Sequence, residues 1–269
     1  MIRQILKIPY DRFNIGYYKL SGRKPWSRGY STFKFSYIKN VLSNKGILKL
    51  FKNSKILPEK FGYLLDERAI EYPWVLSRLT SAKDMILDAG SVLNYEEILN
   101  FERLNNKNLT ILNLAPEAVC FWKKRVSYIF SDIRSLPFKD NYFDIIVCIS
   151  TLEHIGMDNS RLTKDKKHKE NKILDFNLAI LELKRVLKDN GILLITVPFG
   201  KYQNFGHFQQ FNPDLIDMIL KSFKPRKEHI DYYMYKNKGW NICNAISCKN
   251  LEYSNLAMAR AVACLELIK

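Results

Sequence analysis

The sequence predicts an α/β fold: a doubly wound, mostly parallel seven-stranded sheet with helices on both faces, preceded by a basic N-terminal segment. Three observations carry that expectation. Short apolar runs alternate with helical stretches from residue 84 to residue 197, the pattern of βαβ units. The runs at 145–149 and 192–197 are continuously apolar, as strands covered on both faces are, whereas half-exposed strands alternate. Hydrophobic residues make up 47% of the 269 and charged residues 26%, a balance that excludes wholesale disorder.

The elements follow in order. Residues 1–60 show no sustained period and mix Lys and Arg with Tyr10, Phe13, Tyr17, Tyr18, Trp26, Tyr30, Phe33, Phe35 and Tyr37. Residues 61–79 carry apolar residues at helical spacing, with Pro73 expected to kink or break the helix. Strands are predicted at 85–87, 109–114, 126–130, 143–149, 192–197, 228–235 and 261–267. A helix is predicted over 94–104, where Glu96 and Glu97 favour the first turn. The strongest helical pattern covers 171–187 and is expected to stop at Gly191; another helix is read at about 213–222. The polar stretch 157–170 reads as a loop, and its Lys-rich end as solvated.

Charge is unevenly placed. Residues 1–60 hold 14 Lys and Arg against Asp11 and Glu59, a net charge of +12 out of +16 for the chain. The division expected is therefore a basic, aromatic-rich segment at 1–60 and a domain at 61–269. A polyanion is the partner such a segment suits, either an anionic membrane surface or RNA. The rival reading is a helical cap whose aromatics pack on the domain. No apolar run approaches the roughly 18 residues of a membrane span, and only Ile5-Leu6-Lys7-Ile8 precedes Pro9, so no secretory signal is read. The five cysteines are odd in number and dispersed, which argues against a disulfide scaffold and for free thiols in a reducing compartment. No metal-ligand spacing is found.

Three stretches carry chemistry. Met85-Ile86-Leu87-Asp88-Ala89-Gly90 is a buried strand ending in an acid and a glycine turn, at the sheet edge where ligands bind. Residues 131–156 run from Ser131-Asp132 through Leu136-Pro137-Phe138 and Phe143-Asp144 to Leu152-Glu153-His154. Residues 183–198 form a helix end, Asn190-Gly191 and a strand ending in Pro198. In this order and spacing they resemble the class I S-adenosylmethionine-dependent methyltransferases, in the branch acting mostly on small molecules, over about residues 84–200. The glycine-rich loop is degenerate: only Gly90 remains, followed by Ser91, Val92 and Leu93. Asn113 stands where that family carries the acid that holds the ribose, with Glu117 able to substitute from the next turn.

The resemblance implies a Rossmann-like sheet, S-adenosyl-L-methionine as cofactor, and roles for particular residues. Asp88, Gly90, Ser91, Asn113, Asp132, Ile133 and Ser150 would bind the cofactor. His154, His207, Asp158 and Tyr202 are the candidates for a base. Tyr202, Phe208, Tyr233 and Trp240 would line the acceptor pocket. The acceptor implied is a small molecule or a sugar or glycan, methylated on oxygen or nitrogen, in the cytoplasm or peripherally at a membrane. Two other readings fit the same residues: an RNA methyltransferase, and a non-catalytic relative that kept the fold and lost the cofactor.

Overall fold

The computed structural model describes residues 2–256 and 258–269, with side chains from residue 9 onward. The elements run α1 (Ile2–Leu20), α2 (Tyr30–Ser43), α3 (Lys45–Lys52), α4 (Arg68–Arg78), β1 (Met85–Ala89), α5 (Glu96–Leu99), β2 (Asn108–Asn113), β3 (Val126–Phe130), β4 (Phe143–Ile149), α6 (Ser160–Thr163), α7 (Phe176–Val186), β5 (Leu187–Pro198), β6 (Gln203–Asn204), β7 (Gln209–Gln210), α8 (Pro213–Phe223), β8 (Lys227–Lys236), β9 (Gly239–Cys243), α9 (Ala245–Cys248) and β10 (Ala261–Ile268).

The main sheet has the order β3-β2-β1-β4-β5-β10-β8-β9. β3, β2, β1, β4 and β5 are parallel, and β10 runs antiparallel between β5 and β8. The strand order turns back at β1 and β4, so the crevice at their carboxyl ends is the topological switch point. The sheet has eight strands, one more than the seven predicted. The extra strand is β9, which hairpins onto β8 through Asn237 and Lys238, at φ 55° and 62°, the two left-handed residues of a two-residue hairpin turn. It is short, and Asn241 interrupts its apolar residues, so an apolar-run reading passes over it.

Alternation along the strands sorts two cores. Ile86, Ile111, Ile145, Val147 and Leu194 face α2, α3 and α4; Leu87, Leu112, Ile146, Cys148 and Ile195 face α7 and α8. The N-terminal segment is helical, and its aromatics divide. Tyr18, Tyr30 and Phe51 are buried in the first core, whereas Tyr10, Phe13, Tyr17 and Trp26 are exposed.

Several boundaries differ from the sequence reading. Residues 61–67 form turns, and Pro73 lies inside α4 without ending it. The helix expected over 94–104 is reduced to α5 and a 3₁₀ turn at Glu102–Leu104, because Asn100 caps α5 after four residues. α7 starts at Phe176 and stops at Val186; Leu187 is already extended and pairs with Phe143. Gly191 is therefore inside β5 and no helix stop. Asn190 takes the left-handed conformation (φ 62°), and Gly191 is needed for space, since a Cβ there would lie 2.7 Å from the Lys188 carbonyl oxygen. The stretch 157–170 contains α6 and a 3₁₀ turn at Lys166–His168.

Candidate active site

A cavity of about 230 Å³, open at its mouth, occupies the switch-point crevice. β1 contributes Gly90 just past its end, β2 contributes Leu112 and Asn113, β3 leads to Ser131, Asp132 and Ile133, and β4 leads to Ser150, Thr151 and His154. α4 adds Arg68 from outside the sheet.

The floor is set by the turn after β1. Gly90 (φ 123°) packs against Thr151, whose Oγ1 would lie 2.0 Å from any Cβ built on it. Asp88, fully buried, accepts from the backbone N–H groups of Val92 (3.3 Å) and Leu93 (2.7 Å), and so folds the loop around itself. Burial pushes its carboxyl up to about 7 against the pull of those two bonds. Tyr72 of α4 donates to the Val92 carbonyl at 2.6 Å, tying the loop to the helix. On the other side, Glu71 pairs with Arg68 and accepts from Ser150 Oγ (2.6 Å) and Thr196 Oγ1 (2.7 Å). Ser91 and Ser150 both hold positive φ, 60° and 38°, so two non-glycine residues carry backbone strain at the cavity edge.

The stretch read as a solvated loop covers the mouth instead: Asn159, Leu162, His168 and Glu170 line the cavity. Arg134 clamps it, pairing with Glu170 (2.9 Å), Asp175 (2.6 Å) and Asp132 (2.7 Å). Burial alone would raise the Asp132 carboxyl; its bonds to Arg134 outweigh that and hold it below the usual range.

The family model for a methyltransferase domain matches residues 87–195, the span from β1 to β5 that supplies this crevice. Residues 87–195 thus match the sequence pattern of a methyltransferase domain. An uncharacterized protein of Methanocaldococcus jannaschii is 27% identical over 161 residues, and the match spans 57% of this chain and 61% of the relative. Among solved structures, a SAM-dependent methyltransferase of Thermotoga maritima aligns at TM-score 0.49 with 14% identity, over 88% of this chain and 100% of the other. The 1,6-didemethyltoxoflavin-N1-methyltransferase of Burkholderia thailandensis, solved with S-adenosylhomocysteine, aligns at TM-score 0.44 with 12% identity, over 70% of this chain and 72% of the other.

The crevice offers groups suited to S-adenosylmethionine. Gly90 lets the turn after β1 pack directly on Thr151, which also lines the cavity; a Cβ there would collide with it. Ser91 Oγ is buried without a hydrogen-bond partner. The lining mixes a guanidinium, carboxylates and apolar side chains, matching a ligand with an amino-acid end, a ribose and a purine.

Of the residues singled out in the sequence, Gly90, Asn113, Asp132, Ile133, Ser150 and His154 line the cavity together. Asp88 lies behind the loop. Asn113 donates from its amide to Glu117 Oε1 at 2.7 Å, which sets that carboxylate beside the end of β2. His154, Asp158, His207 and Phe208 meet at one corner, where the β6–β7 hairpin folds back. His154 Nδ1 donates to the His207 carbonyl (2.7 Å), Asp158 N–H donates to the Gly206 carbonyl (2.9 Å), and the His154 and Phe208 rings are 5.9 Å apart. The Asp158 carboxylate is turned to Ser160, and the exposed His207 ring to the Phe205 carbonyl. Tyr202 packs against the α7-side core. Two expectations fail outright. Tyr233 is buried against Phe51 in the other core, and Trp240 donates to the Leu65 carbonyl at 3.0 Å; an aromatic strand at the sheet's far edge is packing, not pocket.

Sequence reasoning missed Arg68, Glu71, Thr151 and the covering loop. Arg68 stands twenty-two residues before Gly90 with no motif around it, and only the packing of α4 brings it in.

Glu153 adds a pH dependence. It is 3% exposed, its Oε2 has no partner, and burial pushes its carboxyl up to about 8. With the folded value above the unfolded one, its stabilising contribution is complete below about pH 4.5 and is lost as pH rises through about 8. Glu153→Gln should therefore flatten the fall in stability across that window, by up to about 1.4 kcal/mol per pH unit. Urea unfolding at several pH values checks this, and parallel curves for variant and parent would refute it.

Proposed function

We propose that the protein transfers a methyl group from S-adenosylmethionine to an oxygen or nitrogen of a small-molecule or glycan-type acceptor. The observation that carries this reading is the meeting of two sites: the cavity floored by Gly90 opens beside the corner where His154 faces an aromatic cluster. The cofactor supplies an electrophilic methyl carbon on a sulfonium, and in-line displacement then depends mainly on alignment and exclusion of water.

In this reading Arg68 holds the carboxylate at the amino-acid end, and Ser91 supplies its unpartnered hydroxyl close by. Glu117, steadied by Asn113, and Asp132, steadied by Arg134, take the ribose and purine edges. Ile133 and Leu162 sandwich the purine, and the loop clamped by Arg134 closes the mouth. Asp88 is a positioning residue that shapes the loop.

The acceptor enters past Phe205, Phe208 and Tyr253, whose rings lie 4.6–5.5 Å apart in a cluster next to His154. Because the His154 Nδ1 proton is committed to a carbonyl, the neutral ring presents Nε2 as a proton acceptor. Burial lowers the His154 pKa. The base form therefore persists to lower pH than for an ordinary histidine, and the acid limb of turnover should fall below about pH 6.5.

Calorimetric titration of the full chain with S-adenosylhomocysteine tests the cofactor site; no heat at millimolar ligand would end the reading. Transfer of labelled methyl to the low-molecular-mass, glycan and RNA fractions of a cell extract tests the acceptor class, and label confined to RNA would replace it. With the responding fraction, His154→Gln should lower turnover roughly 100-fold while leaving S-adenosylhomocysteine affinity within about threefold. Unchanged turnover would remove His154 as the base.

A further inference from the structure

We propose that the outer face of α1 is a docking surface for an anionic phospholipid bilayer. Tyr10, Phe13, Tyr17 and Leu20 follow one another at i, i+3, i+7 and i+10, one side of a helix. They are 62%, 60%, 45% and 91% exposed. The adjoining side of α1 is already used: Asn14 and Tyr18 are buried, and Tyr18 packs on Tyr30 and Phe33. The helix is thus held to the protein by one face and presents an apolar stripe beside it.

The stripe is rimmed by cations. Arg28 lies 5.5 Å over the rings of both Phe13 and Tyr17; Arg12 and Lys19 are exposed further around the helix, Lys19 with its Nζ 5.8 Å over the Phe33 ring. The following turn adds Arg23 and Lys24, and Asp11 is the single acid of α1. Aromatics and leucine in the centre with basic residues at the edge is the arrangement of a helix lying in a membrane interface. The rings and Leu20 enter the headgroup boundary there, and the cations meet anionic lipid.

The chemistry favours this occupant over the others. A nucleic acid would seek cations along the centre of the track and rings to stack on; here the centre is apolar, and its most exposed member, Leu20, has no ring. A second copy of the chain would bring two segments of net charge +12 face to face. No helix among the described residues is long and apolar enough to cross a membrane, so the contact is peripheral.

Co-sedimentation of the full chain with phosphatidylcholine vesicles, with and without 30% phosphatidylserine, tests the proposal. The expected result is binding at least about tenfold stronger to the anionic vesicles. It should weaken sharply as salt shortens the Debye length from about 10 Å at 0.1 M to about 3 Å at 1 M. The variant Y10S/F13S/Y17S/L20S should lose that binding at least about tenfold with an unchanged melting temperature, since all four side chains are solvated in the free protein. R12E/K19E, which leaves the stripe intact, should lose the preference for anionic lipid even if the first variant proves unstable. Equal vesicle binding by parent and both variants would overturn the proposal. So would binding to poly(U) without binding to vesicles, or a concentration-dependent dimer that Y10S/F13S/Y17S/L20S abolishes.

Discussion

Gly90→Val is expected to abolish S-adenosylhomocysteine binding in calorimetry, with affinity falling at least about 100-fold, or about 2.7 kcal/mol. Two effects add. At φ 123° a side chain costs about 1–3 kcal/mol in backbone strain alone. The new Cβ would also sit 2.0 Å from Thr151 Oγ1 and 2.8 Å from its Cβ, so Thr151 or the loop must move. Thr151 is held by its own bond to the Ile149 carbonyl (2.9 Å), and the loop by Asp88, so neither yields freely. The double variant G90A/T151A separates the effects in part, because it removes the Thr151 Oγ1 and Cγ2 contacts and keeps the Cβ contact and the strain. It should recover part of the affinity. Binding by Gly90→Val within threefold of the parent would show that this turn does not shape the cofactor site.

Arg78→Met should give the largest loss of stability, about 3–5 kcal/mol, because it breaks a buried ion pair from one side. Arg78, at the end of α4, is 2% exposed and stacks 3.6 Å from the Trp74 ring centre. It reaches Asp231 on β8 (3.0 Å) and Glu266 on β10 (2.8 Å), and Trp74 Nε1 donates to the same Asp231 at 2.8 Å. The variant leaves the Asp231 carboxylate buried with its main cation gone. The melting temperature should drop by roughly 6–20 °C at this chain size. R78M/D231N removes the stranded charge and should melt above Arg78→Met. A fall of less than 2 °C for the single variant would mean that the network adds nothing.

The lining of the crevice was legible in part. Gly90, Asp132 and His154 sit at the ends of apolar strands, and the strand-turn pattern alone places such residues at one edge of a parallel sheet. The acceptor half was legible only in part. His154 and Phe208 do meet, yet Tyr233 and Trp240 face the other core, because their β8–β9 hairpin pairs at the far edge of the sheet. An aromatic in a strand reads the same whether it faces a pocket or a core, and the face is decided by a register that local sequence does not encode.

By itself the sequence determined the α/β class, the parallel strands from β1 to β5, their motif order and the charge imbalance of the first sixty residues. These rest on local properties: apolar continuity, turn chemistry and composition. Only the tertiary structure decided the eighth strand, the shortened helix after β1, the entry of Arg68 and Glu71 from α4, and the conversion of a lysine-rich stretch into a cover clamped by Arg134. It also decided which aromatics of the N-terminal segment are core and which are surface. Each of these depends on which face of an element meets a partner distant in the chain, and that choice is made by packing and charge pairing between elements, not by any one of them.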